Sequence, residues 1–219
     1  MNYNKKFKII IVGDTNTGKT TFIRNYLNYD IRYLSTTIAL EYYFTEKYYF
    51  GSLIKINFCD ISGNKNYFNI SKNFLSNTDG IIMIYDINKK ETIDNLYLWK
   101  KCILENNKEI ENKILIIGNK NNNYLYQNKI VNYDNENDNK INNLFIELPK
   151  IDVLEYKIDI YKEKNNIKKI VDEYIDNINE KYNKKINNNL ENNNLENNKE
   201  MININLIEKN NSKKCCIIS

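Results

Sequence analysis

Apolar residues in this chain fall into short, nearly unbroken runs separated by stretches of helical spacing. Phe7 to Val12, Gly80 to Asp86 and Lys113 to Gly118 are apolar at almost every position, the pattern of strands buried on both faces. Leu40 to Phe50 and Leu53 to Asp60 are β-rich and joined by Gly51-Ser52, which predicts a hairpin. Helices are predicted over Thr21 to Leu27, over Asn66 to Asn77, and across Ile93, Leu96, Tyr97 and Trp99 to Leu104. Ile167, Ile170, Val171, Tyr174, Ile175 and Ile178 recur at helical spacing and predict a terminal helix with one buried stripe. A weak last strand is predicted over Asn143 to Leu148, while Asn121 to Asn143 has no period that assigns it. Strands alternating with helices predict an α/β fold with a mostly parallel sheet covered on both faces.

Composition sets the domain count. At 219 residues the chain accommodates one domain and a tail. Residues 1–182 carry the strand and helix pattern. Residues 183–219 are Asn-rich with repeated Asn-Asn-Leu-Glu units, and this predicts a disordered tether that buries too little to offset its ordering. The net charge of +4 is small and the lysines are scattered, so nothing points to nucleic acid as a partner. The four cysteines, Cys59, Cys102 and the pair Cys215-Cys216, match neither a disulfide framework nor a zinc site, and a reducing compartment is expected. No signal peptide is expected at the N-terminus. Apolar runs all fall short of the ~18 residues that span a bilayer, so membrane attachment would need added chemistry.

The chemistry concentrates at Gly13-Asp14-Thr15-Asn16-Thr17-Gly18-Lys19-Thr20, which fits G-x-x-x-x-G-K-[ST] behind a strand and before a helix. Backbone N–H groups of such a loop meet phosphates at a helix N-terminus. Lys19 supplies a point charge to the terminal phosphates, and the Thr20 hydroxyl suits magnesium. The predicted fold is therefore a P-loop NTPase: a six-stranded, mostly parallel sheet with one antiparallel edge strand and helices on both faces. Asp60, followed by Gly63, ends a strand where open α/β sheets place ligands; a helix cap or turn is its alternative reading.

With Thr37-Ile38, Asp60-x-x-Gly63, the run Gly80 to Asp86, Trp99 and Gly118-Asn119-Lys120 added, the chain resembles a small GTPase of the Ras superfamily, most closely its Rab branch. The similarity covers about residues 7–182. It implies GTP or GDP with Mg2+ as the bound ligands. Gly13, Thr15, Asn16, Thr17, Gly18, Lys19, Thr20, Thr21, Thr37, Gly63, Asn119, Lys120 and Asn122 would hold the nucleotide, and Thr20, Thr37 and Asp60 the metal. Thr36 is an equally good chemical candidate beside Thr37, which Ile38 favours. The resemblance also implies a switch whose two loops meet effectors, an exchange factor and an activating protein. Such proteins work in vesicle trafficking on the cytosolic face of an intracellular membrane, cycling with the cytosol.

Three places depart from that pattern. Asn64 stands where the family's water-orienting glutamine is usual, with Lys19 the other catalytic candidate, so any GTP hydrolysis is expected to be slow. Asn122 replaces the carboxylate that pairs with guanine; an amide offers one acceptor and turns a donor toward a donor, a donor pattern closer to xanthine. Glu147 to Lys150 occupy the expected place of the loop that backs the base, without its small residues. A degenerate, membrane-tethered scaffold with weak nucleotide binding is the alternative reading, while an unrelated P-loop ATPase or kinase leaves Asp60-x-x-Gly63 and Asn119-Lys120 as coincidences. Cys216-Ile217-Ile218-Ser219 fits C-a-a-X with serine at X, which alone favours a farnesyl group on Cys216, whereas the Rab resemblance implies geranylgeranyl groups on both Cys215 and Cys216. Prenyl-transfer and lipid-chaperone machinery would then be partners.

Overall fold

A computed structural model of the chain describes residues 3–49, 51–64, 74–106, 114–120 and 154–187. Contacts divide the chain into two units, Met1–Tyr174 and Ile175–Ser219. The first contains β1 (Lys5–Val12), α1 (Lys19–Tyr26), β2 (Leu40–Tyr49), β3 (Ser52–Ile61), β4 (Gly80–Asp86), α2 (Lys90–Asn106), β5 (Ile114–Asn119) and β6 (Leu154–Ile158), followed by helical residues 164–174.

The six strands form one sheet in the order β2-β3-β1-β4-β5-β6. Only β2 and β3 run antiparallel, in register from Leu40 opposite Ile61 to Tyr49 opposite Ser52. The other four pairings are parallel. This is the mixed sheet with one antiparallel edge that the pattern predicts.

Strand periodicity splits the core in two. Ile10, Val12, Cys59, Ile61, Ile81, Met83, Tyr85, Ile114 and Ile116 share one face and pack with Ile93, Leu96, Trp99, Cys102 and Ile103 of α2. Residues of the other parity, among them Ile9, Ile11, Phe58, Ile82 and Leu115, are just as buried. There the Tyr26 ring of α1 meets Phe58 edge-on at 5.6 Å. The Tyr174 hydroxyl accepts from the Ile81 N–H at 2.7 Å and donates to the Ile81 carbonyl at 3.0 Å. With apolar layers on both faces, β4 is buried at all seven positions, which is why it reads as an unbroken apolar run.

Two expectations change. The sixth strand is Leu154–Ile158, paired to β5 from Leu115 opposite Leu154. Its mixed composition hides it from a pattern search, and pairing to a neighbour decides it instead. The strand expected over 143–148 lies outside the described residues, as do residues 66–73 of the helix expected over 66–77. In the second unit, residues 175–187 are helical and Ile175 and Ile178 are buried. The sequence pattern puts residues 183–187 in the tether, yet they are helical; adding a residue to an existing helix needs no new nucleus, so the helix runs on past Ile178, the last buried apolar position. The remainder of the tether, 188–219, lies outside the described residues.

Because β1, β3, β4, β5 and β6 all point the same way, their carboxyl ends share one edge of the sheet. β1 sits where the connections change direction, between β3 and β4. Crevices for ligands form at that place.

Candidate functional site

The loop from Gly13 to Gly18 leaves β1 and enters α1, whose N-terminus is capped by Gly18 in a left-handed conformation without a side-chain bond. No acidic side chain occupies the first turn, so its N–H groups and the helix dipole remain available to an anion. Gly18 has φ 100°, and a Cβ there would stand 2.8 Å from the Asn119 side-chain nitrogen. Asn16 takes φ 63°, a left-handed conformation that asparagine tolerates. Thr15 and Asn16 are exposed and Thr17 is buried, its hydroxyl donating to the Asp14 carbonyl at 2.9 Å. Thr21 is buried on α1.

Lys19 is 6% exposed and donates to the Asp14 carbonyl at 2.7 Å. Burial lowers its pKa to about 8, against the pull of the Asp60 and Asp14 carboxylates. Among the described residues the ammonium makes no direct ion pair, and phosphate oxygens would supply one.

Three oxygens meet beside it. The Thr20 hydroxyl donates to Asp60 Oδ2 at 2.5 Å, lies 3.0 Å from the Thr37 hydroxyl, and Thr37 in turn donates to Asp60 Oδ2 at 3.4 Å. Thr36 is exposed, whereas Thr37 is buried. Asp60 is fully buried and, among the described residues, its Oδ1 has no hydrogen-bond partner. Desolvation raises its pKa, opposed by the Thr20 bond and the Lys19 charge. A buried carboxylate oxygen left unpaired is costly unless something occupies it. Two hydroxyls and a carboxylate are hard oxygen donors, and the set fits magnesium, which takes few protein ligands and keeps water.

Gly63 packs on the phosphate loop so closely that a Cβ would run into the backbone of Asp14 and Thr15. Ser62, buried just before it, accepts the Asn64 N–H at 3.4 Å, and Asn64 itself is exposed.

At the end of β5, Asn119 is 1% exposed and does two things. Its amide donates to the Thr17 carbonyl at 3.0 Å, and its Oδ1 accepts the Ile160 N–H at 3.4 Å. Asn25 of α1 reaches the same turn, donating to the Ile160 carbonyl at 2.7 Å. Lys120 follows with its N–H on the Ile158 carbonyl. The loop beside Asn119 is therefore 159–162, after β6. Glu147 to Lys150, given that place by the sequence, lie outside the described residues, and the reassignment follows from where β6 ends. Asn122, Cys215 and Cys216 also lie outside them.

Asp14, Ser62, Asn25 and Ile160 join this site without having been singled out. Asp14 and Ser62 sat inside recognised motifs at variable positions. For Asn25 and Ile160, 135 residues apart, no local signal exists.

Comparison with known proteins bears on all of this. The Ras family pattern matches residues 8–180, from the first strand past the last described strand of the sheet. The chain belongs to the Ras family. Within it the relatives are Rab-like. A Ras-related protein RabH of Dictyostelium discoideum is 32% identical over 126 residues, covering 51% of this chain and 63% of that protein. The Ras-related protein Rab-13 of Rattus norvegicus is 30% identical over 106 residues, 48% and 52% of the two chains. A protein described as a probable Rab-related GTPase of Acanthamoeba polyphaga mimivirus is 28% identical over 204 residues, 81% and 93%. The chain thus spans 63% or less of the length of the first relatives it matches. As a Rab-like small GTPase by family, it has the α/β sheet with a phosphate loop that the family implies.

Proposed function

We propose that this Rab-like chain binds GTP and GDP and acts as a nucleotide-dependent switch on an intracellular membrane, serving vesicle trafficking. The observation that carries the reading is the convergence of Thr20, Thr37 and Asp60, with one carboxylate oxygen unpaired, beside the buried Lys19. The loop N–H groups from Gly13 to Thr21 cradle phosphate oxygens, and Lys19 offsets their charge. Thr20, Thr37 and Asp60 would hold Mg2+, which when bound would neutralise negative charge on the phosphates. Thr37 and Gly63 sit on the two loops nearest that place, so their order follows the terminal phosphate and with it the surface met by effectors, exchange factor and activating protein. Asn119 and Lys120, at the end of β5, would meet the base. Lipids on Cys215 and Cys216, delivered by prenyl-transfer and lipid-chaperone machinery, hold the protein to the cytosolic leaflet.

A second reading, a tethered scaffold with little hydrolysis, is favoured by Asn64 and Asn122. Loss of the carboxylate pairing at position 122 costs about 2–4 kcal/mol, roughly 30-fold to nearly 1,000-fold in guanine affinity. The nucleotide that copurifies, with affinities for GTP, GDP, XTP and ATP in magnesium, tests both. Binding of guanine nucleotides supports the switch; a preference for XTP supports weakened base selection; no binding of any of the four overturns the switch. Retention of Cys215→Ser/Cys216→Ser on membranes would overturn the lipid anchor.

A further inference from the structure

One carboxylate stands inside the phosphate loop itself. Asp14 follows the first glycine, and its backbone carbonyl is the hub of the loop: it accepts from the Thr17 N–H at 3.4 Å, the Thr17 hydroxyl at 2.9 Å and the Lys19 ammonium at 2.7 Å. A negative side chain on that residue is a liability in a loop that receives phosphates, since like charges a few ångströms apart repel strongly where water is scarce. It is a liability for Lys19 too, because a carboxylate free to turn can pair with the ammonium and take it from the phosphates. Asn95 removes both problems. From the second turn of α2 its side-chain amide donates to Asp14 Oδ2 at 2.6 Å, across 81 residues of sequence. Asn95 is half-buried, and its neighbours on the helix, Ile93, Leu96 and Trp99, are fixed in the core. The amide is thereby held on a rigid element.

We propose that Asn95 is a positioning residue for the phosphate site: by holding the Asp14 carboxylate against α2 it keeps that charge off the incoming phosphates and leaves Lys19 free for them. This rests on the nucleotide-binding reading above. Only a side-chain donor on α2 that carries no negative charge serves, because a carboxylate at position 95 would add to the repulsion. Two of the loop's own side-chain donors, Thr17 and Lys19, already bond the Asp14 carbonyl.

The test measures dissociation of a fluorescent guanine nucleotide from full-length protein, with thermal unfolding of every variant beside it. Asn95→Ala is expected to release nucleotide about tenfold faster, the effect of losing one hydrogen bond to a charged group. Asn95→Asp is expected to be worse. Two rescues separate positioning from simple support of the helix. Asp14→Ala in the Asn95→Ala background removes the freed charge and should recover most of the loss. The reciprocal pair Asp14→Asn with Asn95→Asp, which rebuilds the bond with its roles exchanged, should recover it as well. Wild-type binding with unchanged release in Asn95→Ala overturns this proposal alone, and so does a loss that neither second substitution relieves. Failure of the wild-type protein to bind any nucleotide overturns the functional reading and this proposal together. Should Asn95→Ala prove unfolded, the reciprocal pair decides: folded protein with near wild-type release supports the proposal, and folded protein with the Asn95→Asp defect refutes it.

Discussion

Asn119 and Thr17, 102 residues apart, are joined by an amide-to-carbonyl bond of 3.0 Å that is fully buried. The same side chain accepts from Ile160, so one residue ties the phosphate loop, the end of β5 and the turn after β6. Asn119→Ala leaves the Thr17 carbonyl and the Ile160 N–H without their partner. It should destabilise the first unit by about 2–4 kcal/mol, the cost of two buried groups left unsatisfied. Urea unfolding in the absence of nucleotide measures this directly. A loss under about 0.5 kcal/mol would mean that water replaces the amide and that Asn119 has no structural part.

How much of this was legible beforehand depends on how far apart the parts are in sequence. Gly13 to Thr20 form one contiguous stretch whose spacing encodes a single loop, and the apolar runs of β1, β4 and β5 are long enough to announce themselves. Leu154–Ile158 is short and carries Glu155 and Lys157, so its strand character comes from lying along β5 and not from its own residues. Placing it moved the loop that faces Asn119 from 147–150 to 159–162. Asn25 with Ile160 and Asn95 with Asp14 are tertiary pairings with no local period, and each asparagine looks like an ordinary polar helix position. The chain's abundance of asparagine deepened that camouflage.

Cys59 gives a pH dependence whose direction is fixed by burial. Its thiol lies among Val12, Ile61 and Met83, and desolvation pushes its pKa up from 9.0 to about 11, with Lys8 pulling weakly the other way. The folded state therefore holds this proton more tightly than the unfolded state. The stability it contributes is whole below pH 9.0 and is lost as pH rises through about 11. Cys59→Val, similar in volume and without a proton to lose, should show a shallower fall in urea midpoint over that window. Parallel curves for the two proteins would rule the thiol out as a contributor.

Asp60 should show a conflict between stability and binding. With Oδ1 buried and unpaired among the described residues, and its ionised form disfavoured by desolvation, the carboxylate is a cost to stability whenever no cation is bound. In EDTA, Asp60→Asn is expected to be at least as stable as wild type. With magnesium present, the wild-type protein alone should gain slower nucleotide release. If the substitution instead costs more than about 2 kcal/mol in EDTA, the carboxylate is a structural acceptor for Thr20 and the metal assignment loses its main support.

Asn64 is where turnover should be gained by restoring length. It follows Gly63, whose backbone is pressed against Asp14 and Thr15, so the side chain starts from a point fixed beside the phosphate loop. Asparagine ends one methylene sooner than glutamine, about 1.5 Å short of the same reach. An amide that orients water acts through placement, and a shortfall of that size forfeits most of the benefit. Asn64→Gln is therefore expected to raise single-turnover GTP hydrolysis by about tenfold or more, while nucleotide affinity moves by less than about twofold, since in the proposed function the loop and Lys19, not Asn64, would hold the phosphates. Its bond to the Ser62 hydroxyl is donated by the Asn64 backbone N–H and survives the change. Hydrolysis that stays at the wild-type rate in Asn64→Gln would show that length is not what limits it, and that the slow step lies with groups a partner brings.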